Sequence, residues 1–215
     1  MKTKLNNCIL LATLAIQISA FAQVTKDTKE LVRSNGGYVS VGGRSTLSAF
    51  DSDGLGLGSG GHLRVQINNR VNTEWMFDYI SINSAKQVHS EYYHVGWSVM
   101  YYPFEDKQYP KLVQPYIMAG HCFDYNIKTE IVNPANSQNR WGSAVQAGVG
   151  THFNLSERFD ISLSCQYMIH LTKELEAENT DHGLAINEAK ASSLEGHLLT
   201  TVSFNYKLFK LWNRN

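Results

Sequence analysis

Apolar and polar side chains alternate with a period of two along most of the chain, and this pattern constrains the fold most. Between residues 93 and 101 the odd positions are aromatic or apolar: Tyr93, Val95, Trp97, Val99 and Tyr101. The segments 71–79, 141–155, 159–171 and 196–209 alternate in the same way. A helix would instead space its apolar residues three and four apart. The pattern therefore predicts strands with one apolar face, because successive side chains of a strand point to opposite faces.

The alternation predicts eight strands, at 37–49, 60–68, 71–84, 90–104, 112–127, 141–155, 159–171 and 196–209. Three connections between them are short: 68–70, 105–111 and 156–158. Four are longer: about 50–60, 83–90, 128–140 and 173–195. An even number of strands joined by hairpins places both chain ends and all short connections at one end of a closed barrel. The predicted fold is all-β, an eight-stranded antiparallel up-and-down barrel.

Aromatic residues on the apolar face form two groups, one near each end of the predicted strands. The group near the longer connections is Tyr79, Tyr93, Phe123, Tyr125, Trp141 and Tyr167. The group near the short connections is Tyr101, Phe153, Phe159 and Tyr206. The eight-residue separation of Tyr93 and Tyr101 corresponds to roughly 19 Å along the axis of a barrel whose strands tilt by about 45°. Two aromatic belts around an apolar band of about 25 Å are typical of a transmembrane barrel in an outer membrane.

The opposite, polar face distinguishes a membrane barrel from a soluble lipocalin-like carrier, whose apolar face would point inward. Its few charged residues are of both signs: Arg44, Arg64, Lys207, Glu74, Asp78, Asp124 and Asp160. The outer surface of a soluble barrel would carry more Lys and Glu. The polar face is therefore interpreted as a packed interior and the apolar face as the surface that contacts lipid. Eight strands leave an interior that side chains fill, so no wide pore is expected.

The N-terminus has the organisation of a secretory signal peptide. Two lysines precede an apolar run over residues 8–22 that ends on Ala-Phe-Ala, which predicts cleavage before Gln23. The predicted organisation is a cleavable signal peptide (1–22), a short periplasmic N-terminal tail (23–35), the outer-membrane β-barrel domain (36–209) and a C-terminal tail (210–215). No stretch after residue 22 is long and apolar enough to span a membrane as a helix. The predicted location is the outer membrane.

Two stretches carry a family resemblance. Residues 145–167 read VQAGVGTHFNLSERFDISLSCQY, a Gly-rich strand, a tight polar turn and a strand that ends on an aromatic residue; residues 114–125 read QPYIMAGHCFDY. They resemble the penultimate hairpin and the fifth strand of the small OmpA/OmpX-like outer-membrane β-barrel family. One departure is His121 in the lipid-facing row, for which a β-bulge would account. The family includes adhesins, wall-linking scaffolds and lipid-modifying enzymes, so the resemblance implies a fold and a location but no single activity.

Five histidines lie on the inward face by parity: His62, His94, His152, His170 and His197. They come from different strands without the spacing of a metal site, so they are interpreted as polar filling of the interior.

A catalytic triad and a disulfide are the other chemistry that the residue types suggest. His170 and Thr172, followed by Glu174 and Glu176, resemble the triad residues of barrel lipid A deacylases. Parity points His170 inward, away from lipid, and Thr replaces Ser, so this cluster is not predicted to be an active site. Two cysteines remain after signal cleavage, Cys122 and Cys165. They lie on opposite faces of strands that are not neighbours, so no disulfide is predicted between them.

The predicted function is a structural or surface-interaction role through the extracellular loops. The longest loop, 173–195, carries several acidic residues. No catalytic, cofactor-binding or metal-binding residue is predicted, and the near-zero net charge gives no reason to expect nucleic acid. The expected partners of a monomeric barrel are outer-membrane lipid, the barrel-assembly machinery and an extracellular ligand at the loops. Two alternatives remain open: a barrel enzyme acting on lipid A or phospholipid, and a secreted soluble lipocalin-like carrier.

Overall fold

The computed structural model describes residues 37–50, 54–84, 87–104, 112–173, 175–181, 183–189 and 196–211. The strands are β1 (Tyr38–Phe50), β2 (Gly54–Gln66), β3 (Val71–Ser84), β4 (Val88–Tyr101), β5 (Val113–Glu130), β6 (Ser137–Asn154), β7 (Phe159–His170), β8 (Leu175–Thr180), β9 (Gly183–Glu188) and β10 (Gly196–Lys210). The predicted signal peptide and N-terminal tail lie outside the described residues, as do the connection 105–111, Glu174 and the last four residues of the C-terminal tail.

Eight of these strands close into an antiparallel barrel in the order β1-β2-β3-β4-β5-β6-β7-β10, with β10 paired to β1. This confirms the predicted all-β, eight-stranded fold. In the described ladders the register shifts once, between Val39 and Ser40, where β1 pairs with β10. The bulge expected at His121 is wrong, because β5 pairs with both of its neighbours through His121 without a shift.

Several strands run further than the alternation predicts, mostly at the end of the barrel with the longer predicted connections. β2 begins at Gly54, whereas the sequence predicts a loop up to residue 60. In this Gly-rich segment leucines point outward, and glycines point inward where a side chain would collide with β3. A Cβ added at Gly58, for example, would lie 2.5 Å from Cγ1 of Ile80. Alternation between Leu and Gly is a weak strand signal, since Gly lacks a side chain to pack, and the sequence therefore underestimates β2.

The connection between β7 and β10 also differs from its prediction. The sequence predicts an irregular loop at 173–195, whereas the structure forms a second, two-stranded sheet there from β8 and β9. Thr180 pairs with Gly183 at its tip, and Gly183 has a φ of 117°, which favours glycine. We call this β8–β9 unit the outer hairpin.

Burial follows the predicted parity. Six of the seven charged residues predicted to face inward are buried, and Lys207 is half-buried. Large apolar side chains on the opposite face remain exposed, with Trp75 at 47% and Val149 at 59%. A continuous apolar surface of this kind would be unfavourable in water and is favourable against lipid.

In the part of the chain that the structure describes, no helix is long and apolar enough to cross a membrane.

Candidate functional site

Ion pairs connect four strands inside the barrel. We call this set the central network, consisting of Arg44, Arg64, Glu74, Asp78 and Asp160. Arg64 donates to Oε2 of Glu74 from Nε at 3.0 Å and from Nη2 at 2.9 Å, and to Oδ1 of Asp160 from Nη1 at 3.2 Å. Arg44 donates from Nη1 to Oε1 of Glu74 at 3.3 Å, and its Nε lies 3.0 Å from Oδ1 of Asp78. All five are buried, so each charge depends on the others to offset its desolvation.

Two apolar clusters share the interior with the central network, which the sequence, predicting a polar interior, does not indicate. The cluster towards the outer hairpin is Phe50, Ile80, Ile82, Tyr92, Cys122, Ala144, Met168 and Leu199. The cluster at the short-turn end is Met100, Tyr102, Tyr116 and Met118. Gly150 provides room for one of these side chains, that of Tyr116. A Cβ on Gly150 would lie 2.5 Å from the Tyr116 hydroxyl. Side chains of the central network and of both clusters therefore fill the interior.

Two of the five inward histidines lie at separate places in the polar interior. His62 pairs through Nε2 with Oδ1 of Asn205 at 3.2 Å. Nε2 of His152 lies 2.7 Å from the Tyr102 hydroxyl, and its Nδ1 lies 2.5 Å from Oγ of Ser162. Their positions confirm the inward parity, and their partners are the polar side chains expected of interior filling.

The other three histidines come together, which the sequence does not predict. Nε2 of His170 lies 3.1 Å from Nδ1 of His197, and the His94 ring stacks on His197 at a centroid distance of 5.7 Å. Nδ1 of His170 lies 3.4 Å from Oδ2 of Asp124. These residues belong to β4, β5, β7 and β10, so only closure of the barrel brings them together. Among the described residues, no group of three or more His, Cys, Asp or Glu side chains is arranged to hold a metal ion.

The residues of the suggested triad have separate surroundings. The two ring nitrogens of His170 face His197 and Asp124, as described above. The hydroxyl of Thr172 instead accepts a hydrogen bond from Nη2 of Arg140 at 2.9 Å, and Glu176 is exposed on β8. Both cysteines are free thiols, Cys122 in the interior and Cys165 on the outward face, as their parity predicts.

Two apolar side chains of the outer hairpin are buried, one in each strand. Leu175 and Ile186 are each 4% exposed, whereas Glu176 and Glu178 point away from them and are exposed. Burial of these two apolar side chains indicates that they pack on neighbouring parts of the protein. The hairpin therefore has a defined position instead of extending freely.

Asparagine side chains attach the outer hairpin to the neighbouring connections. Nδ2 of Asn136, between β5 and β6, donates to the backbone oxygen of Leu184 at 2.8 Å and to Oε2 of Glu130 at 2.9 Å. Nδ2 of Asn179 donates to Oε1 of Gln87, between β3 and β4, at 3.4 Å. The hairpin thus bridges two connections at the same end of the barrel.

The outward face carries two aromatic belts, as predicted. Centroid distances of 5.1, 6.2 and 4.8 Å join successive rings near the outer hairpin: Tyr79, Tyr93, Tyr125 and Trp141. At the other end Phe159 lies 5.3 Å from Phe204 and 4.7 Å from Tyr206. Aromatic side chains favour the headgroup layers of a bilayer. A closed eight-stranded barrel with an apolar outward face between two such belts defines a small integral outer-membrane protein.

Comparison with known proteins identifies the family. The chain belongs to the family of the outer membrane protein beta-barrel domain, whose model matches residues 8–192. This agrees with the OmpA/OmpX-like resemblance and places the protein in the outer membrane, which excludes the soluble carrier. None of the curated proteins compared matches the chain.

Several solved barrels have a similar fold. A major outer membrane protein from Thermus thermophilus has a TM-score of 0.57 at 9% identity, covering 80% of this chain and 98% of its own. Neisserial surface protein A has a TM-score of 0.52 at 13% identity, covering 81% and 99%. AlkL, solved in lipid bilayers, has a TM-score of 0.51 at 11% identity, covering 90% and 99%. At such identities the likeness shows the fold alone.

Proposed function

We propose that this protein is a membrane-anchored scaffold that presents the outer hairpin and the adjoining strand ends to a partner outside the cell. The observation that carries the proposal is the contrast between the two regions of the molecule. The interior is filled by the central network and both apolar clusters, while the hairpin is held at one end of the barrel by the buried side chains of Leu175 and Ile186 and by Asn136. Binding function in proteins concentrates on connections that a rigid scaffold positions.

The proposed orientation of the barrel in the membrane is the usual one for outer-membrane barrels, which place short turns in the periplasm and longer connections outside the cell. With this orientation, the exposed carboxylates of Glu176 and Glu178 face the medium. The exposed tip between β5 and β6, where Val132 is 86% exposed, lies at the same end. The partner would therefore meet a mixed acidic and apolar surface. Assembly through the barrel-assembly machinery is part of this proposal.

We also propose that the barrel forms no wide pore, because the central network and both apolar clusters fill its interior. Purified protein in planar bilayers is expected to give no conductance steps of the size of a general porin. Stable steps of that size would contradict a filled interior. If a small current is observed, the wild type is compared with the variant Glu74→Ala, which opens space in the central network.

The surface role is tested by binding. Vesicles carrying the protein are applied to arrayed glycans and immobilised extracellular-matrix proteins, beside vesicles in which a Gly-Ser turn replaces residues 176–187. A signal that depends on the hairpin is expected. Equal signals from both vesicles on every probe would contradict the proposal.

We further propose that the barrel is not an enzyme acting on lipid A or phospholipid, because His170 and Thr172 face different partners. Mass spectra of lipid A and phospholipid from cells with and without the protein are expected to be identical. A difference in acyl-chain number would instead support the enzyme.

A further inference from the structure

The charged residues of the barrel are divided unevenly between its two ends. In the part of the chain that the structure describes, the short-turn end carries four basic residues and one acidic residue: Arg70, Arg158, Lys207, Lys210 and Glu157. The other end carries six acidic and three basic residues: Glu91, Glu130, Glu176, Glu178, Asp181, Glu188, Lys128, Arg140 and Lys173. The formal net charge of the whole chain is zero. The barrel is therefore polarised along its axis, with a positive short-turn end.

Backbone and side-chain hydrogen bonds hold Arg158 at the edge of the outward face. Oγ of Ser156 accepts from the backbone N–H groups of Arg158 at 3.3 Å and of Phe159 at 3.1 Å, which fixes the turn between β6 and β7. The backbone oxygen of Arg158 accepts from the backbone N–H of Lys207 at 2.9 Å. Its side chain donates from Nη1 to the hydroxyl of Tyr206 at 3.2 Å. The guanidinium therefore has a defined position beside β10.

The contact with Tyr206 sets the depth of this guanidinium in the membrane. The ring of Tyr206 lies 4.7 Å from that of Phe159, and both belong to the aromatic belt at the short-turn end. Aromatic belts lie at the level of the lipid headgroups. A guanidinium bonded to the hydroxyl of a belt tyrosine is therefore at the depth of the phosphate groups. The headgroup layer itself covers Arg158 in the membrane.

Two lysines add positive charge next to this layer. Nζ of Lys207 lies 6.0 Å, and Nζ of Lys210 5.6 Å, from the centroid of the Tyr38 ring. The neighbours of Lys210 in the chain, Phe209 and Leu211, are 53% and 52% exposed. A lysine between exposed apolar side chains suits a membrane interface, because its stem contacts apolar surface while the ammonium group stays with the headgroups.

We propose that the short-turn end is a binding surface for anionic phospholipid headgroups, centred on Arg158 and Tyr206. A guanidinium presents its N–H donors in a planar fork that matches two oxygens of a phosphate. The hydrogen bond to Tyr206 uses one donor and orients the group. An anionic lipid such as phosphatidylglycerol is favoured over phosphatidylcholine, because no ammonium group offsets its phosphate charge and the surrounding residues are mainly basic.

In the proposed orientation this surface lies in the periplasmic leaflet. The lipid site is separate from the proposed extracellular surface role, because it lies at the opposite end of the barrel. The variant in which a Gly-Ser turn replaces residues 176–187 is therefore expected to keep the lipid preference of the wild type. Failure of either proposal is thus distinguishable from failure of the other.

Lipid competition followed by native mass spectrometry tests the site. The folded barrel is placed in mixed micelles with equal amounts of phosphatidylglycerol and phosphatidylcholine, and the lipids that it retains are counted. The wild type is expected to retain phosphatidylglycerol preferentially. Arg158→Gln should lower this preference about fivefold, which corresponds to about 1 kcal/mol for one basic residue near a membrane surface. No preference in the wild type would overturn the proposal.

Arg140→Gln is the matched control. Arg140 is half-buried like Arg158 and also donates to a hydroxyl, that of Thr172, but it lies at the acidic end. Its replacement should leave the lipid preference unchanged, and equal effects of the two arginine variants would overturn the site. Shifted gel mobility verifies that each variant forms the folded barrel.

Two further measurements separate a headgroup site from diffuse charge and from an anion site. Tyr206→Phe keeps the ring in the belt but removes the hydroxyl that orients Arg158, and should lower the preference about twofold. An unchanged preference would show diffuse attraction and overturn the site. Inorganic phosphate, added at constant ionic strength, is expected to leave the retained lipid in place. Displacement of the lipid by phosphate would show a site for free anions and would also overturn the proposal.

Discussion

Glu74 is the residue whose loss should destabilise the barrel interior most. Its carboxylate accepts two hydrogen bonds from Arg64, at 3.0 and 2.9 Å, and one from Arg44 at 3.3 Å. Glu74→Gln preserves the shape of the side chain but removes the negative charge between two guanidinium groups. Because all of these groups are buried, water cannot replace the lost charge.

The expected cost is about 3 kcal/mol, at the lower end of the range for breaking a buried ion pair by removing one partner. The lower end applies because Arg44 and Arg64 keep contacts with Asp78 and Asp160, and because the amide oxygen of glutamine still accepts a hydrogen bond. In the double variant Arg64→Met/Glu74→Gln, the unpaired guanidinium is removed as well. The loss of unfolding free energy in the double variant should therefore be smaller than the sum of the losses in the two single variants. The coupling free energy is expected to be about 1–3 kcal/mol.

The assay is urea-induced unfolding in lipid vesicles, followed by tryptophan fluorescence and by the shifted gel mobility of the folded barrel. Glu176→Gln on the exposed face of the outer hairpin is the matched control and should lie within about 0.5 kcal/mol of the wild type. If Glu74→Gln also lies within about 0.5 kcal/mol, or the double variant shows no coupling, the central network does not stabilise the barrel as argued.

Two further changes address the packing of the interior and the position of the hairpin. Gly150→Val should destabilise the barrel by about 1–3 kcal/mol, since its Cβ would overlap Tyr116. Gly61→Ala, whose Cβ meets nothing nearer than 3.4 Å, should be tolerated in the same unfolding assay, and equal effects of the two would refute the packing argument. Asn136→Ala should leave barrel unfolding within about 0.5 kcal/mol of the wild type but increase hydrogen exchange across the outer hairpin. Unchanged exchange there would show that Asn136 does not hold the hairpin.

Much of the barrel could be predicted from local sequence, because parity in a strand is a property of consecutive residues. Arg44, Arg64 and Glu74 are assigned to the interior by their even positions alone, and the structure buries all three. Trp97 and Tyr93 are assigned to the lipid face in the same way. The strand ends were less predictable, because β2 starts in a Gly-rich segment whose pairing depends on Ile80 of the next strand.

The alternation along each strand shows which side chains point inward, but it does not show which of them contact each other. Ile80, Met168 and Leu199 share the inward face with the charged residues, yet they gather in a separate apolar cluster, because their height in the barrel depends on the shear between strands. The grouping of His170 with His197 depends on closure in the same way. The members of each group are distant from one another in the sequence.

Local sequence was enough to predict a barrel with a polar interior and an apolar surface between two aromatic belts, because those properties depend on side chains two residues apart in each strand. Which side chains come together in the central network, and how the outer hairpin is held at one end of the barrel, became visible only in the folded structure. Each of these depends on the register between strands, and register is set by packing across the whole barrel.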